Sequence, residues 1–149
     1  MVTRTQAALL MALAAVAGPG ARAEADPGVT YLPAAQVAAA FAKGQPLLET
    51  DRLKLHASRR EAPGQAEVHA RDTDVFYVVS GSATFVTGGR VLTPKSVGPD
   101  EVRGSGLENG RAQTLQAGDV IVIPSGVPHW FKEVPAPMTY FVVKVPAAP

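Results

Sequence analysis

Short apolar runs separated by turn-forming residues fill most of the chain from Leu47 onward, and their period is two. Leu53, Leu55 and Ala57 alternate with Lys54, His56 and Ser58, which predicts a half-buried strand with His56 on its outward, polar side. Pro63-Gly64 then reads as a turn. Residues 75–79 (Val-Phe-Tyr-Val-Val) are strongly strand-forming, Gly81 turns the chain into a second run at 83–86, and Gly88-Gly89 reverses it again. Val120–Ile123 is a compact apolar strand ending at Pro124-Ser125-Gly126, and residues 139–145 form a last β run. Residues 93–113 break the pattern, with six glycines and prolines and few apolar side chains. They predict a long surface excursion carrying at most a short hairpin, placed as a lid over one mouth of the fold.

Ahead of the strands the pattern is different. Residues 24–32 read as an extended arm. Pro33 opens an alanine-rich helix over residues 34–43, and Gly44 suits the position just past its end. Val37 and Phe41, four apart, share the face that would clip this helix onto the strands. Many short strands with regular turns imply an all-β sandwich, jelly roll or barrel. The expected division is a leader over residues 1–23, the arm and helix over 24–46, and the barrel over 47–146.

The leader rests on three features. Arg4 supplies a positive start, residues 7–18 are apolar but too few to span a bilayer, and Ala21-Arg22-Ala23 follows the Pro19-Gly20 break. Cleavage after Ala23, or after Ala25, would send the chain to the periplasm or outside the cell, with no membrane partner. Removing residues 1–23 takes away two of the fourteen basic side chains and no acid. The remainder has 12 basic against 13 acidic groups, a net charge of −1. A near-neutral chain without a basic patch excludes nucleic acid as an expected partner. The chain has no cysteine, so disulfides and thiol nucleophiles are ruled out.

Two clusters carry chemistry. The first is Glu67-Val68-His69, then Asp74 and Gly81; the second is Gly118, Pro124, Gly126, His129 and Glu133. Residues two apart on a strand point the same way, so Glu67 and His69 share a side. Asp74 follows a bend at 71–73, from which it can return toward His69. His129 follows a Pro-x-Gly-x-Pro turn that presents it rigidly. Two imidazoles and two carboxylates make a ligand set for Fe(II), Mn(II), Zn(II) or Ni(II).

This spacing resembles the cupin superfamily. Its first motif runs His-x-His, four residues, an acid, six residues and Gly; here it stands as Glu67-x-His69, Asp74 and Gly81. Its second runs Gly, five residues, Pro-x-Gly, two residues, His, three residues and Asn; here it stands as Gly118, Pro124, Gly126, His129 and Glu133. The leading His has become Glu67, the Glu has become Asp74 and the Asn has become Glu133, while Gly64 lies too close to Glu67 for the opening glycine. The resemblance implies a double-stranded β-helix, a jelly-roll barrel with a short N-terminal helix, and a homodimer.

It also implies a divalent transition metal bound by Glu67, His69, Asp74 and His129, a two-His, two-carboxylate version of a set that is commonly three His and one Glu. Glu67 and Asp74 are the candidates for acid and base as well as for ligands; otherwise Glu67 accepts a hydrogen bond and Asp74 caps the bend. The expected function is an exported small cupin acting on a small oxygen-bearing molecule, with isomerase, lyase and dioxygenase chemistry all open. The alternative is a binding module without turnover. Phe76, Val78 and Phe131 share the ligands' parity and should wall the lumen, and Glu133, two past Phe131, should reach its rim. Arg59 and Arg60 must diverge, so one of them can reach the mouth. Trp130 packs outside the lumen or at a subunit contact.

Overall fold

The computed structural model describes residues 28–147, so the expected leader lies outside the described residues. The chain divides into residues 1–31 and 32–149. Among the described residues of the larger unit a single helix, α1 (Ala34–Lys43), precedes thirteen strands. Pro33 precedes the first turn, and Gly44 ends the helix at φ 65°, its N–H donating to the Ala40 carbonyl.

One sheet has five strands: β1 (Gln45–Glu49), β2 (Lys54–Arg60), β13 (Met138–Pro146), β4 (Asp72–Ser80) and β11 (Val120–Ile123), in that order. The other has six: β10 (Arg111–Gln116), β5 (Ser82–Thr87), β12 (His129–Glu133), β3 (Ala66–His69), β8 (Glu101–Gly104) and β7 (Lys95–Gly98). A two-stranded ribbon pairs β6 (Arg90–Leu92) with β9 (Gly106–Glu108). Every pairing is antiparallel. The two large sheets face one another as a jelly-roll barrel, the all-β double-stranded β-helix expected.

The core lies between the sheets. Phe76, Val78, Ala83, Phe85, Leu115, Ile123, Phe131, Met138, Tyr140 and Val142 pack into one cluster. Phe85 and Met138 are 0% exposed. The helix lies against the outer face of β1 and β2. The Phe41 ring meets Phe141 edge-on at 4.8 Å, so the expected clip is present. Ala40 is the buried residue of the helix, with Val37 and Phe41 beside it only half-buried.

The helix also reverses the expectation for β2. Ala57, 0% exposed, pairs with Phe141 on the side that α1 covers. His56, Ser58 and Arg60 therefore face the barrel interior, not the solvent. Hydrophobic residues mark the helix-covered face here, and the polar ones line a cleft. The stretch 93–113 also differs from expectation. It is part of the wall: β7 and β8 form a hairpin across Pro99-Asp100, and β8 pairs with β3.

Candidate metal centre

β3 and β12 carry the central donors. Glu67 and His69 point inward from β3, and His129 opens β12, whose first residue pairs with Glu67. The Gly126 N–H donates to the His69 carbonyl at 2.8 Å, fastening the turn before His129 to the strand that carries His69. Gly126 has φ 78°, a left-handed conformation that suits glycine. His129 Nδ1 lies 3.1 Å from the Val127 carbonyl. A carbonyl only accepts, so Nδ1 holds the proton and Nε2 turns a bare lone pair into the barrel.

The donor atoms converge. Glu67, His69 and His129 each offer one ligand atom, and these lie within 4.8 Å of one another. Glu67 Oε2 is 3.7 Å from His69 Nε2 and 4.0 Å from His129 Nε2. Donors held at ordinary zinc distances stand about 3.4 Å apart at tetrahedral angles, so a slight closing of these side chains would seat an ion. The donor set and its spacing therefore fit a divalent transition metal.

Asp74, third residue of β4, also reaches this point. Its Oδ2 lies 3.5 Å from His69 Nε2 and 3.9 Å from His129 Nε2. It is 2% exposed, and both its oxygens accept from Lys144 Nζ at 2.8 Å. Lys144 thus supplies the positive charge that a buried carboxylate needs. A bend cap is not its position, because it lies inside β4 with its side chain in the barrel.

Burial raises the Glu67 pKa, but the nearby His69 imidazole and the Arg103 guanidinium outweigh it, leaving the carboxyl below its ordinary value. Burial pushes the His129 imidazole below the usual histidine range, against the opposing pull of the Val127 carbonyl and Asp74. Both shifts favour the deprotonated forms that bind metal.

The excursion over 93–113 brings two further residues that sequence reasoning missed. Glu101 pairs across the sheet with His69, and Arg103 with Glu67, so both enter the cleft. Arg103 Nε donates to Glu101 at 2.7 Å, and Nη2 approaches Glu67 at 3.8 Å. The Gly98-Pro99-Asp100 turn between two short charged runs was the sequence signal for this hairpin. His56 was missed as well; its Nε2 lies 2.9 Å from Glu49. Phe76 and Phe131 line the cleft as expected, and Val78 lies in the core behind them.

Glu133 does not reach the lumen. The pairing of β12 with β5 slips between Phe131 and Glu133, and this bulge turns Glu133 away from the face of Phe131. It accepts from Thr84 Oγ1 at 2.8 Å beside a separate hollow of about 460 Å³ that contains none of the ligands. Trp130 stands outside the lumen, donating from Nε1 to the Gly64 carbonyl at 2.8 Å, with its ring against Gly106.

The cupin family model matches residues 25–148. This chain is a cupin. Its fold is similar to that of a protein from Bacillus halodurans, with 14% identity, a TM-score of 0.57, and 83% of this chain and 87% of the other covered. A protein from Neisseria meningitidis has 14% identity and a TM-score of 0.53 over 78% of this cupin and 99% of its own length. A cupin protein from Bacteroides fragilis has 13% identity and a TM-score of 0.50, with 71% and 80% covered. At these identities the likeness is one of fold. Among curated proteins no match to this cupin is found.

Proposed function

We propose that this cupin holds one divalent first-row transition metal ion through Glu67, His69 and His129 and binds a small oxygen-bearing molecule beside it. The observation that carries this reading is the meeting of three donor atoms within 4.8 Å, with Nε2 of His129 freed by the Val127 carbonyl. When bound, the ion would act as a Lewis acid on the molecule's oxygen. Asp74 flanks the donors with its charge shared by Lys144, and it is the carboxylate nearest both imidazoles for moving a proton. Glu67, whose pKa is lowered, stays ionised and serves as ligand first.

Elemental analysis of the purified protein tests this. Wild type is expected to carry near-stoichiometric metal, and His69→Ala and His129→Ala to lose it with β-rich circular dichroism intact. Wild type that takes up none of Fe, Mn, Zn or Ni on reconstitution sinks the metal reading and leaves the binding-module alternative.

Export to the periplasm or beyond is proposed on the pattern of residues 1–23; N-terminal sequencing of secreted protein should begin at Glu24. A homodimer is proposed as the assembly. Tyr77, Val79, Val120 and Val122 stand outward on β4 and β11 as exposed apolar side chains, a face suited to a second copy. Light scattering tests it.

A further inference from the structure

Arg60 ends β2 with its side chain in the same cleft as the metal donors, a space of about 230 Å³. Its guanidinium lies 4.5 Å from the centre of the Phe131 ring, and its Nε donates to the Tyr140 hydroxyl at 3.4 Å. Gly64 gives the fork room, since a Cβ there would stand 2.5 Å from Nη1. The other two cations of the cleft are already neutralised, Arg103 by Glu101 and Glu67, and Lys144 by Asp74. Among the described residues no carboxylate pairs with Arg60.

The ring face and the tyrosine hold this fork in place, so less freedom is lost when it takes an anion. The Phe131 ring beneath it belongs to the residue two beyond His129 on β12, about 7 Å along the strand. A ligand can therefore run along this wall of the cleft, with an anion at the guanidinium and an oxygen donor toward Glu67, His69 and His129. A planar guanidinium matches a planar carboxylate through two parallel hydrogen bonds. A phosphate ester would bring more charge than one unpaired cation offsets. The space equals about eight water volumes at ~30 Å³ each, which suits a ligand of a few carbons.

We infer that Arg60 anchors the carboxylate of a small carboxylic acid whose other oxygen reaches Glu67, His69 and His129; the second half of this rests on the metal reading above. Arg60 is then the residue that sets substrate class.

Titration calorimetry with glycolate, pyruvate and succinate, their neutral amides and inorganic phosphate tests it, on zinc-loaded and chelator-treated protein with metal content measured in each. At least one acid is expected to bind, at least tenfold more tightly than its amide. Arg60→Gln should weaken that acid tenfold or more while holding as much zinc as wild type, and Arg60→Lys should recover part of the loss. The inference is overturned if no acid binds, if amides match acids, if Arg60→Gln binds as wild type does, or if phosphate outcompetes every acid. A wild type that holds no zinc defeats the metal reading alone. Arg60-dependent binding of an acid to the chelator-treated protein would still uphold the anchor.

Discussion

The two ends of the barrel are built from the same strands and differ in what those strands send inward. Along β4 the inward series runs Asp74, Phe76, Val78; along β12 it runs His129, Phe131; along β13, read backward, it runs Lys144, Val142, Tyr140, Met138. Each begins with a charged or ligating group and passes into the aromatic and aliphatic cluster around Phe85. The apolar end gains stability from burial, while at the polar end the buried Asp74 carboxylate needs its Lys144 partner. These three strands thus show a division of labour, with one half of each holding the fold and the other lining the candidate site.

That division can be broken first at the apolar end. Phe85→Ala removes a fully buried ring that touches Phe76 and Phe131, and is expected to cost about 3–5 kcal/mol in denaturant unfolding while the folded fraction takes up as much zinc as wild type. A variant that stays as stable as wild type would show that the cluster does not hold the barrel.

The polar end has one position that should behave like core. Lys144→Met strands the Asp74 carboxylate at 2% exposure and is expected to cost about 3 kcal/mol at neutral pH. Adding Asp74→Asn should recover most of that loss. Failure of the second substitution to help would mean that the pair is not the source of the cost.

The smallest effect concerns acidity. Because burial lowers the His129 pKa, the unfolded chain binds a proton there more readily than the folded one. Stability of metal-free protein should therefore fall as pH drops below the unfolded histidine value of about 6.5, by less than about 1.4 kcal/mol per pH unit. Glu67, lowered from its ordinary value, contributes stability above pH 4.5 that disappears as pH falls through its folded pKa. Melting temperatures at pH 7.5 and 5.5 check the first part, and His129→Asn should flatten it.

The same division explains what could be read from the chain alone. The strands at 75–79, 83–86 and 139–145, the helix over 34–43 and its Phe41 contact were legible, because apolar period and Gly/Pro punctuation report burial directly. The second motif placed His129 because its glycines and prolines are backbone requirements as well as signals. Inward polar positions were not legible by the same rule. His56 looks solvent-facing when Leu55 and Ala57 look buried, and only the helix on the far side of β2 corrects that. Glu101 and Arg103 sit in a stretch with too few apolar residues to announce a strand, since their wall faces a charged interior. Glu133 kept the right parity on paper, and one bulged residue moved it to the other side.

Strand β13 lies between β2 and β4, yet among the described strands it is the last in the chain. Until residues 138–146 leave the ribosome, β2 and β4 have no shared neighbour, and the five-stranded sheet exists as two separate flaps. Lys144 arrives in that same segment, so the charge that makes Asp74 tolerable is delivered long after Asp74 itself. Closure of this barrel is thus a late, long-range event, expected to be slow for a domain of its size. A nascent chain stalled before Met138 should remain open to protease, however complete its earlier strands.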